Sequence, residues 1–228
     1  PAGIEVHPTC PGIFPPVSQE ESDSGPQMDL CADSETFTNY TSLESDPQGE
    51  AVVQELMDSE YTETFDSLSD LVKFLGGQPV LSKLALITKV TSTGTKRRLI
   101  LDCAASGTNS NTRQWERILL PRVTDVVDDA LALMARATSG MKVTLFVLDF
   151  TDAFFRAPIT PAERKYFVAK YRGKYIVWTR VPQGSRNGPQ IFGRLSALVG
   201  RLSQGMFNDE EVRLNIYIDD PIVTLCGE

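Results

Sequence analysis

Four acidic residues stand where a carboxylate can do chemistry. Asp149 closes the apolar run Val143, Leu145, Phe146, Val147 and Leu148 in "KVTLFVLDFTD", and Asp152 follows it. Asp219 and Asp220 close a second run in "NIYIDDPIV". A carboxylate at the end of a buried strand is costly unless a cation, a donor or water meets it. Two such sites suit Mg²⁺, which takes hard oxygen ligands and usually one or two protein carboxylates along with substrate phosphates. Two such ions about 4 Å apart activate an attacking hydroxyl and stabilise the leaving oxygen of a phosphoryl displacement. Asp149 and Asp219 supply that pair if their strand ends lie side by side; Asp220 either backs them as a ligand or sets the turn. Taken alone, "DD" at a turn is usually a turn former. An aspartyl phosphatase does not fit, because "DFTD" is one residue longer than its D-x-D and the motifs that should follow are missing.

These acids need elements to hold them. Lys142–Leu148 reads as a strand covered on both faces. Val212–Ile218 and Ile222–Leu225 read as two strands turned at Asp219-Asp220, with Pro221, which has no N–H, at the turn or an outward edge. Pro121–Ser139 reads as a helix that buries Val123, Val126, Val127, Ala130, Leu131 and Met134, with Asp125, Asp128 and Asp129 on its wet face. A second helix, after the loop "VPQGSRNGP", turns Ile191, Leu195, Leu198, Val199 and Leu202 inward and stops at Gly205. Val80–Val90 and Arg98–Asp102 read as strands joined by "TSTGT", with Lys89, Lys96, Arg97 and Arg98 flanking the turn. That hairpin is either a solvated charged surface or a mobile clamp for phosphates. A helix carrying Leu68, Leu71, Val72 and Leu75 ends at Gly76-Gly77, "TPAE" at Thr160–Glu163 has the form of a capping box, and Tyr166–Tyr171 with Lys174–Thr179 forms a hairpin around Arg172-Gly173. The order implies an α+β fold on an antiparallel sheet.

Charge divides the chain. Pro1–Val72 holds 16 Asp and Glu and no Lys or Arg, whereas the remainder sets 22 basic residues against 14 acidic ones. A basic domain with a polyanionic partner, joined to an acidic tail, is the reading this supports. Residues 1–64 are expected to be disordered or a linker, with at most a turn of helix over Val52–Met57, and residues 65–228 to fold. Cys10, Cys31, Cys103 and Cys226 form no C-x-x-C pair and His7 is the only histidine. Reduced thiols are therefore expected, without structural zinc. No apolar run reaches the ~18 residues of a membrane span, and no signal pattern opens the chain. An intracellular place, cytoplasmic or nuclear, is expected.

"VLDFTDAFF", "VPQGSRNGP" and "YIDD", in that order and preceded by "KRRLILD", resemble the motifs of reverse transcriptases over roughly Leu68–Glu228. The resemblance implies a right-hand polymerase fold, fingers and partial palm, performing RNA-directed DNA synthesis by two-metal transfer of deoxynucleotides onto a primer 3′-hydroxyl. It implies two Mg²⁺ ions, an RNA or DNA template and a DNA primer, in a protein of a retroelement such as a retrotransposon. Asp149 and Asp219 match the metal-binding carboxylates, Asp220 the second acid of the last motif, and the main-chain carbonyl of Phe150 would also face a metal. Asp152, Ala153 and Phe154 match the floor of the nucleotide site, where the Phe154 ring would exclude a ribose 2′-hydroxyl. Gln183 and Gly184 match residues beside nucleotide and template, Arg98 and Lys89 the cations that hold the triphosphate, and Tyr217 the primer end. Ala104 and Ala105 stand where related sequences often carry Arg. The chain stops just past "YIDD", so the fragment by itself is expected to be inactive. The alternative is a decayed retroelement remnant that binds nucleic acid without catalysis.

Overall fold

The computed structural model describes residues 15–17, 37–92, 94–114 and 116–227. They divide into two compact units, one built chiefly from residues 37–114 and 154–188 and the other from residues 116–153 and 189–227. Each unit combines helices with antiparallel strands. Among the described residues no helix is long and apolar enough to cross a membrane.

The first unit opens with two short helices, α1 (Thr41–Glu44) and α2 (Gly49–Met57), followed by strand β1 (Thr62–Phe65). Residues 37–64 are therefore part of the fold, which corrects the expectation of disorder for that stretch; residues 1–14 and 18–36 lie outside the described residues. The reason is placement rather than average composition. Leu43 and Val53 are fully buried, each contributing roughly 2 kcal/mol. β1 pairs along its whole length with β6 (Lys174–Trp178), from Thr62↔Trp178 to Phe65↔Tyr175. A boundary at residue 64 would cut that pairing.

Helix α3 (Leu68–Leu75) starts where the Ser67 hydroxyl accepts the Asp70 N–H at 3.1 Å and stops at Gly76, whose φ is 64°; such a cap is worth about 1 kcal/mol. Its Leu71 and Leu75 pack with Leu81, Val168, Tyr175 and Val177, and Phe37 and Phe65 lean on the same cluster. β5 (Val168–Tyr171) turns into β6 through Arg172 and Gly173, both at positive φ, and the sheet runs β1-β6-β5. The expected capping box at Thr160 is absent: Pro161–Tyr166 is a 3₁₀ turn, and the Glu163 N–H bonds to the Thr160 carbonyl rather than to its side chain.

The basic hairpin is a sheet of its own. β2 (Lys83–Thr91) and β3 (Gly94–Asp102) pair from Lys83↔Asp102 to Thr91↔Gly94. The turn is thus shorter than "TSTGT", and Lys96 and Arg97 join Arg98 inside β3 rather than standing beside the turn.

The second unit holds α4 (Val123–Arg136), β4 (Lys142–Val147), β7 (Val212–Tyr217) and β8 (Asp220–Gly227), with all but the first residue of α5 (Gly188–Gln204); its sheet runs β4-β8-β7. Here the expected burial fails. β4 is an edge strand with Leu145 49% and Val147 63% exposed, and Val123, Leu131 and Met134 of α4 and Leu198 and Leu202 of α5 are also exposed. Apolar runs show that a surface is suited to being covered, and the exposure of these side chains shows that the run does not by itself secure burial. Pro221 also departs from expectation, since it lies inside central strand β8, opposite Ile216.

Cys103 and Cys226 are buried free thiols. Burial pushes the Cys103 thiol up to about 12. The folded chain therefore keeps a proton that the unfolded chain releases above its ordinary value of 9.0, so stability falls as pH rises past that point. Peptide mapping after iodoacetamide treatment at mildly alkaline pH should find Cys103 unmodified in the native chain and alkylated once it is unfolded.

Candidate active site

In the second unit, β4 and the β7–β8 turn bring two acids to one place. The ladder runs from Lys142↔Gly227 to Val147↔Ile222, and one further bond follows it, from the Leu148 N–H to the Pro221 carbonyl at 2.8 Å. Pro221 has no N–H to return the partner bond, so the doubly bonded ladder ends there. The register carries on past it: the Phe150 N–H donates to the Asp219 carbonyl at 2.9 Å, the next bond of the same alignment. The Phe150 ring meets Phe192 of α5 edge-on, with centroids 5.5 Å apart. Asp219 sits in the turn after Ile218, whose φ is 57°, and Asp220 already belongs to β8, paired with Tyr217. The turn is thus centred one residue earlier than "DD" suggests. Tyr217 is half exposed. Asp152 is exposed with φ 55°, and the buried Ala153 begins a 3₁₀ turn, Ala153–Arg156.

The carboxylates of Asp149, Asp219 and Asp220 make no hydrogen bond or ion pair with any described residue. Among the described residues no group of three or more His, Cys, Asp or Glu is gathered closely enough to hold a metal. Two uncommitted carboxylates on adjoining chain segments nevertheless fit a hard divalent cation of the Mg²⁺ type, which needs only one or two from the protein.

In the first unit, the hairpin register sets the cations. Ile87 faces Arg98 and Lys89 faces Lys96. Cross-strand partners share a face and successive residues alternate, so Lys89 and Arg98 fall on the same side of the hairpin. Gln183 and Gly184 come beside that side: the Leu101 N–H donates to the Gln183 carbonyl at 3.0 Å. A Cβ on Gly184, where φ is 110°, would overlap the Leu101 carbonyl and stand 3.2 Å from Ile100 Cγ2. Ile100 shares its face with Arg98. Phe154 is half-buried beside Gly188, where an added Cβ would meet its ring at 3.9 Å. Phe155 stacks on Tyr61 as an ordinary packing residue.

Asn109 and Asn187 escape the sequence reading. Asn109 donates through Nδ2 to the Gly184 carbonyl and accepts the Arg186 N–H through Oδ1, both at 2.9 Å. Asn187 donates to the Arg113 carbonyl at 3.0 Å, while its own Oδ1 is buried without a partner. Their only signal is an amide side chain within a loop, in "SGTN" and "SRNGP". Ala104 and Ala105 give their N–H groups to the Asp102 carboxylate.

The family model for reverse transcriptase (RNA-dependent DNA polymerase) matches residues 92–228. The Pol polyprotein of feline endogenous virus ECE1 is 36% identical over 80 residues, spanning 32% of this chain and 8% of that one. The Pro-Pol polyprotein of feline foamy virus is 27% identical over 121 residues, spanning 50% of this chain and 10% of that one. The chain thus covers a tenth or less of the length of these curated relatives. Among solved structures, a selenomethionine-labelled mutant of prototype foamy virus protease-reverse transcriptase has TM-score 0.51 at 20% identity, over 82% of this chain and 20% of that one. The foamy viral protease-reverse transcriptase in complex with double-stranded DNA has TM-score 0.51 at 19% identity, over 82% and 32%. At that identity the likeness concerns the fold alone, and it agrees with a polymerase fold of mixed helices and antiparallel sheets.

Gly184→Ala should cost more than about 2 kcal/mol, since it combines an overlap with a strained φ. A thermal melt beside Gly173→Ala, whose added Cβ meets nothing within 4 Å, separates the overlap from the cost of positive φ alone.

Proposed function

This chain belongs to the reverse transcriptase (RNA-dependent DNA polymerase) family, and from that premise we propose that it carries the nucleotidyl-transfer centre of a retroelement polymerase. The reaction is addition of deoxynucleotides to a DNA primer 3′-hydroxyl on an RNA or DNA template. The relatives are retroviral polyproteins, which makes a retroviral element a nearer guide than a retrotransposon. The observation that carries the reading is the Phe150-to-Asp219 hydrogen bond, which sets Asp149 and Asp219 on adjoining segments with neither carboxylate bonded to a described residue.

Asp149 and Asp219, with Asp220 behind them and the Phe150 carbonyl as a further oxygen donor, would hold two Mg²⁺ ions. When bound, these ions supply charge neutralisation and an activated 3′-hydroxyl. Arg98 and Lys89 bind and orient the triphosphate. Gln183 and Gly184 present an amide and bare backbone to sugar or base, Asp152 and Ala153 floor the site, and Tyr217 lies against the primer end. Phe154 offers a flat ring under the sugar, with no room for a 2′-hydroxyl. Positioning of the reactants is the largest contribution these residues make to rate.

A second reading, a decayed module that binds nucleic acid without catalysis, draws on Ala104 and Ala105, which have no charge to offer a template. Titration of the chain with deoxynucleoside triphosphate, with and without Mg²⁺, separates the two. Metal-dependent binding that weakens at least about tenfold, ~1.4 kcal/mol, in Asp149→Ala and Asp219→Ala supports the polymerase centre. No metal-dependent binding by the unaltered chain, or equal binding by both variants, defeats it. Phe154→Ala should narrow the preference for deoxynucleoside over ribonucleoside triphosphate in the same titration.

A further inference from the structure

Resting on the reading that this chain binds a nucleoside triphosphate, the β2–β3 hairpin contributes more to that grip than Lys89 and Arg98. Lys83, at the base of the hairpin, faces Asp102 and so has an acid opposite it. Four more cations stand farther out on the strands, and strand alternation divides them three to one. Arg97 is alone on the back, in register with Thr88, and it is committed. Its Nε donates to both oxygens of Asp46, at 3.1 and 3.2 Å. The Thr88 hydroxyl donates to the same carboxylate at 3.2 Å, and the Gln48 N–H at 2.8 Å. Asp46, with its side chain only 12% exposed, therefore ties both strands together at one rung.

The two rungs on either side carry the other three cations on the front. Lys89 directly faces Lys96 in one, and Arg98 faces Ile87 in the other. Like charges set directly opposite destabilise a sheet unless an anion covers them. Lys89, Lys96 and Arg98 are exposed and form no ion pair with a described residue. The nearest acid along that face, Asp102, is two alternate residues beyond Arg98. Besides facing Lys83, it is taken by the Tyr40 hydroxyl at 2.5 Å and by the N–H groups of Ala104 and Ala105. Among the described residues there is thus an acid for the cation at the base and for the one behind, and none for the three in front.

We propose that Lys89, Lys96 and Arg98 form one three-cation polyphosphate grip, and that Asp46 is its positioning residue, holding from behind the rung that the gripping cations flank. A two-stranded hairpin is marginal on its own in water, and β2–β3 joins no larger sheet. The aim of its front face therefore depends on what braces its back. The brace comes from the α1–α2 connection, upstream of the residues that match the family.

Isothermal titration of the full chain with Mg²⁺ and dTTP, and with sodium tripolyphosphate as a base-free probe, tests this. Arg98→Ala serves as the reference variant, and thermal melts are recorded throughout. Lys96→Ala should weaken dTTP and tripolyphosphate alike by about fivefold, the scale of one exposed charge pair, and flatten the dependence on salt. Asp46→Asn should weaken both probes by about as much, although it touches neither. Exchanging the partners, Asp46→Arg with Arg97→Asp, should restore affinity. Weaker binding in Arg98→Ala with unchanged binding in Lys96→Ala overturns the third cation and leaves the proposed function standing. An Asp46→Asn variant that melts earlier but binds as before overturns the positioning role. No dTTP binding by the unaltered chain defeats the functional reading itself.

Discussion

A single main-chain hydrogen bond, Phe150 N–H to the Asp219 carbonyl, sets the geometry on which the acid end of this molecule depends. It is the last bond of the β4–β8 alignment, one rung past Pro221, which has no N–H to offer the Leu148 carbonyl. The missing donor thins the ladder, and the Phe150 bond keeps the two segments in register up to the turn. Phe192 then holds the Phe150 ring from the helix side. Two residues far apart in sequence are thereby set near each other by backbone groups, while neither carboxylate bonds to a described residue.

The second half of the proposed chemistry is also organised through backbone. Gly184 lies where a methyl group would overlap the Leu101 carbonyl, and Asn109 stitches the same loop at two points. Close approach of loop to strand requires a residue without a side chain, and the loop polar groups are then met by an amide on a neighbouring segment. Neither arrangement leaves a hydrophobic pattern. Asn109 is invisible in sequence for that reason, whereas Gly184 stands inside a motif.

Legibility follows the kind of interaction concerned. The acids are readable because a charge at the end of an apolar run is chemically costly and so informative. Helix α3 is readable from its spacing and its Gly76 stop. Residues 37–64 are not, because composition averages away what Leu43, Val53 and the β1–β6 pairing accomplish with few residues. β4 misleads in a different way: its apolar run does form a strand, but burial depends on what packs over a face, and Leu145 and Val147 stay exposed although β8 pairs beside them. The hairpin cations can be located in sequence, yet their division between two faces requires the register.

The junction in charge near Val72 and the junction in structure do not coincide, and this bears on how the chain should be dissected. Trimming at the charge boundary would strip β1 from β6, leaving that strand with an open row of amides and carbonyls ready to recruit another molecule. The same cut would discard the acid that pins Arg97. A shortened protein prepared on compositional grounds would thus be stickier and looser at once, and a weak or absent response in any assay of it would reflect where the scissors fell rather than what the whole chain can do.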